Sequence, residues 1–481
     1  MKHIQIYYPP HKMYPFERGW SLTRSLIGAF IGKANENANV CVQHINDTTN
    51  KAQGGEQIIA LIVAVFIICY ILVQYIVLFA IMSVLVIGHV LVLLILMGLA
   101  LLLIGLLRSS TWLCARAYGI YYRCPRAYCY HEMPVPTFIC PQCKALHSRL
   151  WPNTYGIFAH RCQCGKWLPT LHLFGRKKLD RICPECRVEL NLEYGKGTNI
   201  DIPIIGGPSA GKTNYIITAV NAFMQTYGTP PSNYEISFTE PRQRLHFESS
   251  IAQLQQGGKL AKTPDLAPEA YNLKIKVPGV HVPKLLFMYD AAGETFSTDA
   301  YTGLQAYYRY VRGIIFVVDP CAISTYRRHH QQEIDPIRGA LGPSDLDIEE
   351  VCNRMLRAVE IYRVERIAGR YRVPVAVVMT KIDALGLEDE VGIPAAQRLL
   401  ATCPSAMTQE DAINELVQRF LRKYGLSNFM DQLESRFSEV RYFSCSALGR
   451  LPSDMDKRAF VSVHVLDPLV WLLSRNGVIK Q

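Results

Sequence analysis

A glycine-rich loop near the middle of the chain carries the residue types that bind phosphate groups. Glycines allow backbone N–H groups to face an anion, a lysine ammonium adds positive charge at the β- and γ-phosphates, and a threonine hydroxyl can bind Mg²⁺. The loop lies between an apolar strand pattern and an apolar helix pattern, as this chemistry requires. It predicts binding of a nucleoside triphosphate and leaves the base open. Its sequence is Gly206-Gly207-Pro208-Ser209-Ala210-Gly211-Lys212-Thr213.

A carboxylate and a glycine follow the apolar strand pattern at residues 284–289. Asp290 can hold Mg²⁺ through water, and the Gly293 N–H can meet the γ-phosphate. Glu294 comes next, and its carboxylate either orients the attacking water or repels the γ-phosphate and slows hydrolysis. Lys212, Gly293 and Glu294 are therefore the expected catalytic residues.

Base recognition is expected from two later motifs, each directly after an apolar strand pattern. An aspartate in the first motif can accept both the N1–H and the N2–H₂ of guanine, a pair of donors that adenine lacks. A backbone N–H in the second motif can reach guanine O6. The motifs predict a guanine nucleotide bound by Thr380, Lys381, Asp383, Ser446 and Ala447.

The resemblance to P-loop GTPases, whose motif order is given below, implies a further Mg²⁺ ligand from a threonine that precedes the strand pattern at residues 271–277. Thr263 is best placed, and Thr239 is the alternative. A threonine before a proline also suits an ordinary turn, so the assignment to Thr263 competes with a purely structural one. The expected Mg²⁺ ligands are Thr213, Thr263 and Asp290.

Each of the four main motifs begins where an apolar strand pattern ends. Because the carboxyl ends of parallel strands meet at one edge of a sheet, the motifs should converge there. The alternation of strands and helices predicts an α/β fold with a mostly parallel six-stranded sheet and helices on both faces. Asp319, after the fourth strand, is expected to cap a turn. The six strand patterns cover residues 200–205, 271–277, 284–289, 313–318, 373–379 and 441–444.

Eight of the 15 cysteines lie between residues 124 and 186, in four close pairs. Close pairs in a chain without a secretory signal pattern are typical of metal ligands. Four thiolates make a closed tetrahedral Zn²⁺ site with a structural role, and spacing allows the pairs to combine adjacently or in an interleaved order. Two Zn²⁺ sites are predicted from Cys124, Cys129, Cys140, Cys143, Cys162, Cys164, Cys183 and Cys186.

Residues 57–107 contain no Asp, Glu, Lys or Arg. About 20 apolar residues span a bilayer, so this segment suffices for two spans with a turn at residues 83–89. Basic residues flank the segment on both sides, which predicts that both ends face the cytoplasm. The rest of the chain has ordinary charge density, which excludes a polytopic transporter.

Basic charge is concentrated in residues 108–187, which hold 13 Lys+Arg against 3 Asp+Glu, whereas the whole chain has a formal net charge of +11. These cations suit either anionic lipid headgroups or nucleic acid. A structural ribbon at the membrane surface is the simpler interpretation, and nucleic-acid binding stays open. The expected domains are an N-terminal cytoplasmic segment (1–56), a transmembrane hairpin (57–107), a twin zinc ribbon (108–197) and a nucleotide-binding domain (198–481).

The motif order over residues 198–481 resembles that of TRAFAC-class P-loop GTPases, with Thr380 where asparagine is more usual. The combination with an apolar hairpin and Cys-rich ribbons is similar to the double-GTPase (type 2) family of bacterial conflict systems. The resemblance implies Mg²⁺-dependent GTP hydrolysis, a nucleotide-controlled switch in a bacterial inner membrane, and a second GTPase or an effector protein as partner. Two alternatives are a slowly hydrolysing signalling scaffold and an NTP-driven nucleic-acid effector that uses the basic ribbon.

Overall fold

The computed structural model divides the chain into two compact units. The first contains Met1–Cys114 and Val135–Pro184, and the second contains Ala115–Pro134 and Glu185–Gln481. The residues that the structure describes are 11–51, 56–118, 122–124, 126, 129–195, 197–257, 260, 269–290, 306–344, 346–402, 407–450 and 459–479.

Two long helices dominate the first unit. After a short 3₁₀ turn at Tyr14–Phe16, helix α1 covers Arg18–Lys51 and helix α2 covers Glu56–Tyr118. The helices run antiparallel, since the Tyr75 hydroxyl donates to the Ala34 carbonyl at 2.9 Å while Gly19 lies against Leu93. A β-carbon at position 19 would overlap the Leu93 side chain, so the glycine permits this close approach.

The turn that the sequence predicted at residues 83–89 is wrong, because α2 continues through it without a break. Ser83, Gly88 and His89 each cost a helix only about 1 kcal/mol or less, and α2 contains no proline that would end it. Within the described part of the chain, one helix, Ile58–Ala117, is long and apolar enough to cross a membrane. Two spans are therefore not seen in this segment.

Short strands build the cysteine-rich part of the first unit. Thr137–Ile139 pairs antiparallel with both Leu146–His147 and Arg181–Ile182. Ala159–Arg161 pairs with Trp167–Pro169, and a 3₁₀ turn covers Arg176–Lys178. The apolar cluster here is small and includes two of the cysteines, so the strands need support beyond hydrophobic burial. Its buried members are Phe138, Cys140, Leu150, Cys162 and Leu168.

A seven-stranded sheet forms the centre of the second unit. Its order is β2-β3-β4-β1-β5-β6-β7. Strands β4, β1, β5, β6 and β7 are parallel, while β3 runs antiparallel to its neighbours β4 and β2. The strands are β1 (Thr198–Ile205), β2 (Glu235–Phe238), β3 (Glu269–Lys276), β4 (Lys284–Asp290), β5 (Ile314–Val318), β6 (Val375–Met379) and β7 (Val440–Ser444).

The predicted number of six strands is wrong by one, and β2 is the strand that the sequence did not predict. It has four residues, lies at the edge of the sheet, and alternates exposed and half-buried side chains. Such a short edge strand leaves a weak pattern, and its pairing with β3 is what defines it. The other six strands match the predicted patterns in order and position.

Helices cover both faces of the sheet. On one face, Ile204 and Val317 pack in a core with α3 and α9. On the other face, the Phe316 ring lies 5.2 Å from the Phe429 ring of α8. The helices are α3 (Lys212–Tyr227), α4 (Pro241–Gln255), α5 (Ile348–Ile361), α6 (Ile393–Thr402), α7 (Gln409–Lys423), α8 (Ser427–Arg436) and α9 (Asp467–Arg475).

Shorter elements complete the second unit. Tyr122–Arg123 pairs antiparallel with Glu132–Met133, and Arg366–Ile367 pairs with Arg370–Tyr371. A further two-residue strand covers Glu189–Leu190. The short helical segments are Ala306–Tyr310, Pro320–Ala322, Ser324–His329, Gln331–Ile334, Asp335–Ile337, Arg338–Leu341 and Glu388–Val391.

The Tyr122–Met133 hairpin is anchored on the central sheet by a buried ion pair. The Arg123 guanidinium donates to the carboxylate of Asp201, which is only 1% exposed within β1. The Tyr289 hydroxyl of β4 donates to the other carboxylate oxygen at 2.9 Å. Arg123 also lies 3.8 Å from the ring centre of Tyr310. These contacts join the hairpin to both β1 and β4.

Candidate nucleotide-binding site

The phosphate loop, residues 206–213, turns from the end of β1 into the start of α3. Ser209 and Gly211 adopt left-handed backbone conformations, with φ of 58° and 89°, which curl the loop. The Lys212 ammonium donates to the carbonyls of Gly206 at 3.0 Å and Gly207 at 2.8 Å, and this side chain is only 7% exposed. The loop thus holds a buried cation inside its curve, where phosphate oxygens would be bound.

Thr213 and Asp290 come together at the carboxyl edge of the sheet. The parallel register places Asp290 opposite Ile204, two residues before the phosphate loop. The Thr213 hydroxyl donates to the Asp290 carboxylate at 2.6 Å, and Asp290 is 1% exposed. A hydroxyl and a buried carboxylate side by side are oxygen ligands of the kind that Mg²⁺ prefers, so these residues fit the ion.

Thr380 connects the base-binding motif to the phosphate loop. Its hydroxyl donates to the Ala210 carbonyl at 2.8 Å, and the side chain is 2% exposed. The backbone N–H of Thr380 donates to the Val318 carbonyl, which fixes the motif against the end of β5. A small hydroxyl therefore makes this contact at the position where the sequence resemblance leads one to expect asparagine.

Lys381 belongs to a buried ion pair that the sequence did not predict. Its ammonium donates to the Asp319 carboxylate at 2.8 Å and to the carbonyls of Leu341 and Gly342. Asp319 also accepts from the Cys321 N–H at 2.9 Å, so the predicted turn-capping role is confirmed as well. Burial raises the pKa of the Cys321 thiol to about 12, so that thiol stays neutral beside the pair.

The Asp319–Lys381 pair positions a segment of the chain beside the phosphate loop. The Ser344 N–H donates to the Asp319 carboxylate at 3.2 Å. Ser344 lies so close to Gly207 that a β-carbon at position 207 would overlap the serine hydroxyl. The segment carries no recognisable sequence motif, which is why sequence reasoning missed it.

The residues expected to bind the base form one hydrogen-bonded group. The Ser446 hydroxyl donates to the Asp383 carboxylate and accepts from the Gly449 N–H at 2.7 Å. The Ser446 N–H donates to the Val463 carbonyl at 3.0 Å. In the part of the chain that the structure describes, the Ala447 N–H is not used in a backbone hydrogen bond, as the predicted contact with guanine O6 requires.

Three predicted site residues lie outside the described residues: Thr263, Gly293 and Glu294. The alternative threonine, Thr239, follows the edge strand β2 and bonds to the Asn272 carbonyl. Asn272 pairs with Phe287, three residues before Asp290, which corresponds to about 10 Å along β4. The structure therefore does not bring Thr239 to the Thr213–Asp290 pair.

The eight cysteines form two clusters of four sulfurs, each with all sulfurs within 4.8 Å of one another. The outer cluster contains Cys124, Cys129, Cys183 and Cys186, and the inner cluster contains Cys140, Cys143, Cys162 and Cys164. The first pair in the sequence thus combines with the last, and the two middle pairs combine with each other. The adjacent combination is wrong, because Cys140 and Cys162, one from each middle pair, lie buried in the same small apolar cluster.

The sulfur geometry fits tetrahedral zinc. A Zn–S bond of about 2.3 Å implies sulfur–sulfur distances of about 3.8 Å. The Ala145 N–H lowers the pKa of the Cys143 thiol to about 7, which favours the thiolate that a metal requires. Sulfur–sulfur distances near this value include Cys124–Cys186 at 3.4 Å, Cys143–Cys162 at 3.4 Å and Cys140–Cys164 at 3.7 Å.

A phosphate loop, an adjacent Thr–Asp pair and a base-binding group on this sheet define a P-loop GTPase. The sequence model of the Double-GTPase 2 family matches residues 200–449, more than half of the chain, and the protein belongs to that family. It is accordingly a GTP-hydrolysing enzyme that binds guanine nucleotides. A search of curated proteins found no match.

Among solved structures, the chain is similar to the Arl6 BBS3 small GTPase from Trypanosoma brucei with a bound nucleotide analogue, GppNp. The two are 14% identical, the match covers 59% of this chain and 100% of that chain, and the TM-score is 0.26. The family assignment rests on the sequence model and does not depend on this likeness.

Replacing Asp319 with asparagine should weaken GTP binding by about tenfold. The Lys381 ammonium would lose its ionised partner, and a hydrogen bond to a charged group contributes about 1.5–3 kcal/mol. Equilibrium titration with a fluorescent GTP analogue measures the change. Asp347→Asn is the matched control, because Asp347 caps α5 and asparagine caps a helix equally well. Similar affinities for both variants would show that the ion pair does not shape the site.

Purified chain kept under reducing conditions should contain two zinc ions, measured by elemental analysis. Cys140→Ser should reduce the content to about one ion, because a closed site does not tolerate the loss of a thiolate. Cys352→Ser should retain two, since Cys352 is buried but belongs to neither cluster. A wild-type content near zero would contradict the zinc assignment.

Proposed function

We propose that this GTPase is a membrane-anchored, nucleotide-controlled switch in which Thr213 and Asp290 hold Mg²⁺. The hydrogen bond between these two residues carries the proposal, because it places two oxygen ligands beside the phosphate loop. Mg²⁺, when bound, would neutralise charge on the β- and γ-phosphates. Thr263 would join them as a third ligand when GTP is present.

Phosphate chemistry is assigned to the loop and to the segment after β4. Lys212 would leave its carbonyl partners and bind the β- and γ-phosphates, since the loop offers no other fixed cation. The Gly293 N–H would contact the γ-phosphate. Glu294 would orient the attacking water, because a carboxylate can accept a proton that an amide cannot. Loss of the γ-phosphate on hydrolysis would break these contacts and change the conformation of the segments that carry Thr263 and Gly293, the switch segments.

Base selection is divided between a carboxylate and an amide. Asp383 would accept the N1–H and N2–H₂ of guanine, while the Ser446 hydroxyl holds that carboxylate in place. Ala447 would donate its N–H to guanine O6. Thr380 and Lys381 would position the base relative to the phosphates. The Thr380 hydroxyl bonds to Ala210 of the phosphate loop, and the Lys381 ammonium bonds to Asp319, which also holds Ser344 beside the loop.

Helix α2 is proposed as the membrane anchor. It has no charged residue from 57 to 107, and its apolar side chains are widely exposed, with Phe66 at 72% and Val84 at 70%. Exposure of apolar surface on this scale suits lipid and is costly in water. The two cysteine clusters would each hold a structural zinc ion, and the segment that contains them follows this helix in the sequence.

A role in bacterial conflict, with a second GTPase or an effector protein as partner, is proposed from the family resemblance. Discovery of a second GTPase encoded beside this one would support the paired arrangement. A partner-dependent increase in single-turnover hydrolysis of GTP would identify that protein as the activator.

Asp383→Asn should weaken GTP binding by about a hundredfold and improve XTP binding. The substitution replaces an acceptor by a donor, so two charge-assisted hydrogen bonds to guanine are lost and one to xanthine is gained. Competition titrations with GTP, XTP and ATP measure the preference. Asp389→Asn, at an exposed acid on a short helix, is the control and should keep the GTP preference. Equal binding of ATP and GTP by the wild type would overturn the assignment of Asp383.

Reporter fusions after residues 51 and 110 should lie in opposite compartments. This is expected because α2 is continuous between them. A helix of 51 residues is about 77 Å long, against a hydrocarbon core of about 30 Å, so the experiment also shows whether the helix bends in a bilayer. A fusion after residue 479 is the control and should match the fusion at residue 110. Reporters at 51 and 110 in one compartment would restore the two-span arrangement.

A further inference from the structure

A cavity of about 500 Å³ lies at the amino ends of the parallel strands, the edge of the sheet opposite to the phosphate loop. Its wall includes Thr198 at the start of β1, Lys284 at the start of β4 and Pro374 just before β6. The eight residues of β1 rise about 3.3 Å each, so roughly 25 Å separates the cavity from the phosphate loop. It is therefore distinct from the nucleotide site. We name it the basic cavity.

Positive charge dominates the lining of the basic cavity. The acidic side chains in the wall are Glu132 and Glu365, against six cationic ones. A set of like charges around one cavity raises the local potential and attracts an anion. The cationic side chains are Arg123, Lys284, Arg309, Arg312, Arg372 and Arg475.

Half of these cations are already neutralised by carboxylates. Within the described part of the chain, Lys284, Arg309 and Arg312 have no such partner, and Arg309 and Arg312 are exposed to solvent. Three unpaired cations around one space suit a multiply charged anion better than a single carboxylate. The existing pairs are Arg123–Asp201, Arg372–Glu365 at 3.8 Å and Arg475–Glu439 at 2.6 Å.

The charged form of Lys284 is destabilised by its position in the basic cavity. Burial lowers the pKa of its ammonium, and among the described residues no neighbouring carboxylate offsets the effect. An anion in the basic cavity would restore the stability of the charged form. The cation is held at the start of β4 by the backbone pairing of that strand with β1 and β3, so it is already positioned for a ligand.

The size of the basic cavity indicates a ligand larger than a single phosphate ion. Its apolar lining residues, Ile200, Val311, Val364 and Val373, are only 2–8% exposed and add little contact surface. A cavity of this volume falls within the range of small-molecule sites, which are typically 300–1,000 Å³. Arginine guanidiniums match phosphate geometry because they offer planar, paired donors.

We propose that the basic cavity binds a phosphorylated small organic molecule through Lys284, Arg309 and Arg312. The phosphate groups belong either to a soluble compound or to the headgroup of a phosphorylated lipid. Both sources present the same chemistry to these cations, and the experiment below distinguishes them.

The probe is inositol 1,4,5-trisphosphate, titrated into the full chain in neutral-lipid nanodiscs with saturating GDP and Mg²⁺, which occupy the phosphate loop. Calorimetry should show one saturable site. The double variant Lys284→Gln/Arg312→Gln should bind the probe at least about tenfold more weakly. Arg242→Gln/Arg328→Gln removes the same charge from exposed positions outside the cavity and should bind like the wild type. Thermal unfolding and GTP hydrolysis of each variant verify that the fold is intact.

A second arm repeats the titration in nanodiscs that contain phosphatidylinositol 4,5-bisphosphate. If the lipid headgroup occupies the basic cavity, the wild type loses probe binding in these nanodiscs, whereas the residual probe binding of the Lys284→Gln/Arg312→Gln variant does not change. This result identifies a lipid headgroup as the ligand. Unchanged binding identifies a soluble compound. The proposal is overturned if the wild type shows no saturable site, or if the two double variants lose affinity equally, because binding would then follow net charge and not the cavity.

Discussion

The parallel register between β1 and β4 is the constraint on which the nucleotide site depends. It sets Asp290 opposite Ile204, and this places the Asp290 carboxylate 2.6 Å from the Thr213 hydroxyl. A slip of one residue would turn Asp290 to the other face of the sheet and bring Tyr289 to the phosphate loop. Burial resists such a slip. Most residues of β1 and β4 are buried on both faces of the sheet, and a slip would move each side chain of β4 to the opposite face. The alternation also assigns Tyr289 to the side where Asp201 lies.

Sequence reasoning succeeded wherever a motif coincided with a strand end. Six of the seven strands were predicted, and the structure brings together Thr213 with Asp290 and Asp383 with Ser446. Strong apolar patterns and turn chemistry carry that information locally. The failures have a different origin. Strand β2 and the turn at residues 83–89 depend on pairing and packing, since four edge residues are a weak strand signal and a few polar residues do not end a helix.

The Asp319–Lys381 pair illustrates what a motif cannot reveal. The sequence places Asp319 after a buried strand, where an N-cap role is sufficient to explain it. Only the fold shows that its second oxygen meets the Lys381 ammonium and the Ser344 N–H. The ion pair is fully buried on the aspartate side, so separating the partners would leave an uncompensated charge. A segment without any motif thereby becomes a neighbour of the phosphate loop, and substitutions in it would change this site without changing the motifs.

The same physical argument applies at the middle of β1. Asp201 is a buried carboxylate in a strand whose other buried residues are apolar, and it is compensated by Arg123 and Tyr289. Burial and the Asp201 charge raise the pKa of Tyr289, so its hydroxyl stays protonated and remains a donor. Arg123 comes from outside the motif-bearing part of the chain, and the next residue, Cys124, belongs to the outer cysteine cluster. A change that displaces the cysteine therefore also displaces the arginine, and with it the charge balance between β1 and β4. The strand that leads to the phosphate loop and the strand that ends in Asp290 thus depend on an arginine 78 residues before Asp201 in the sequence.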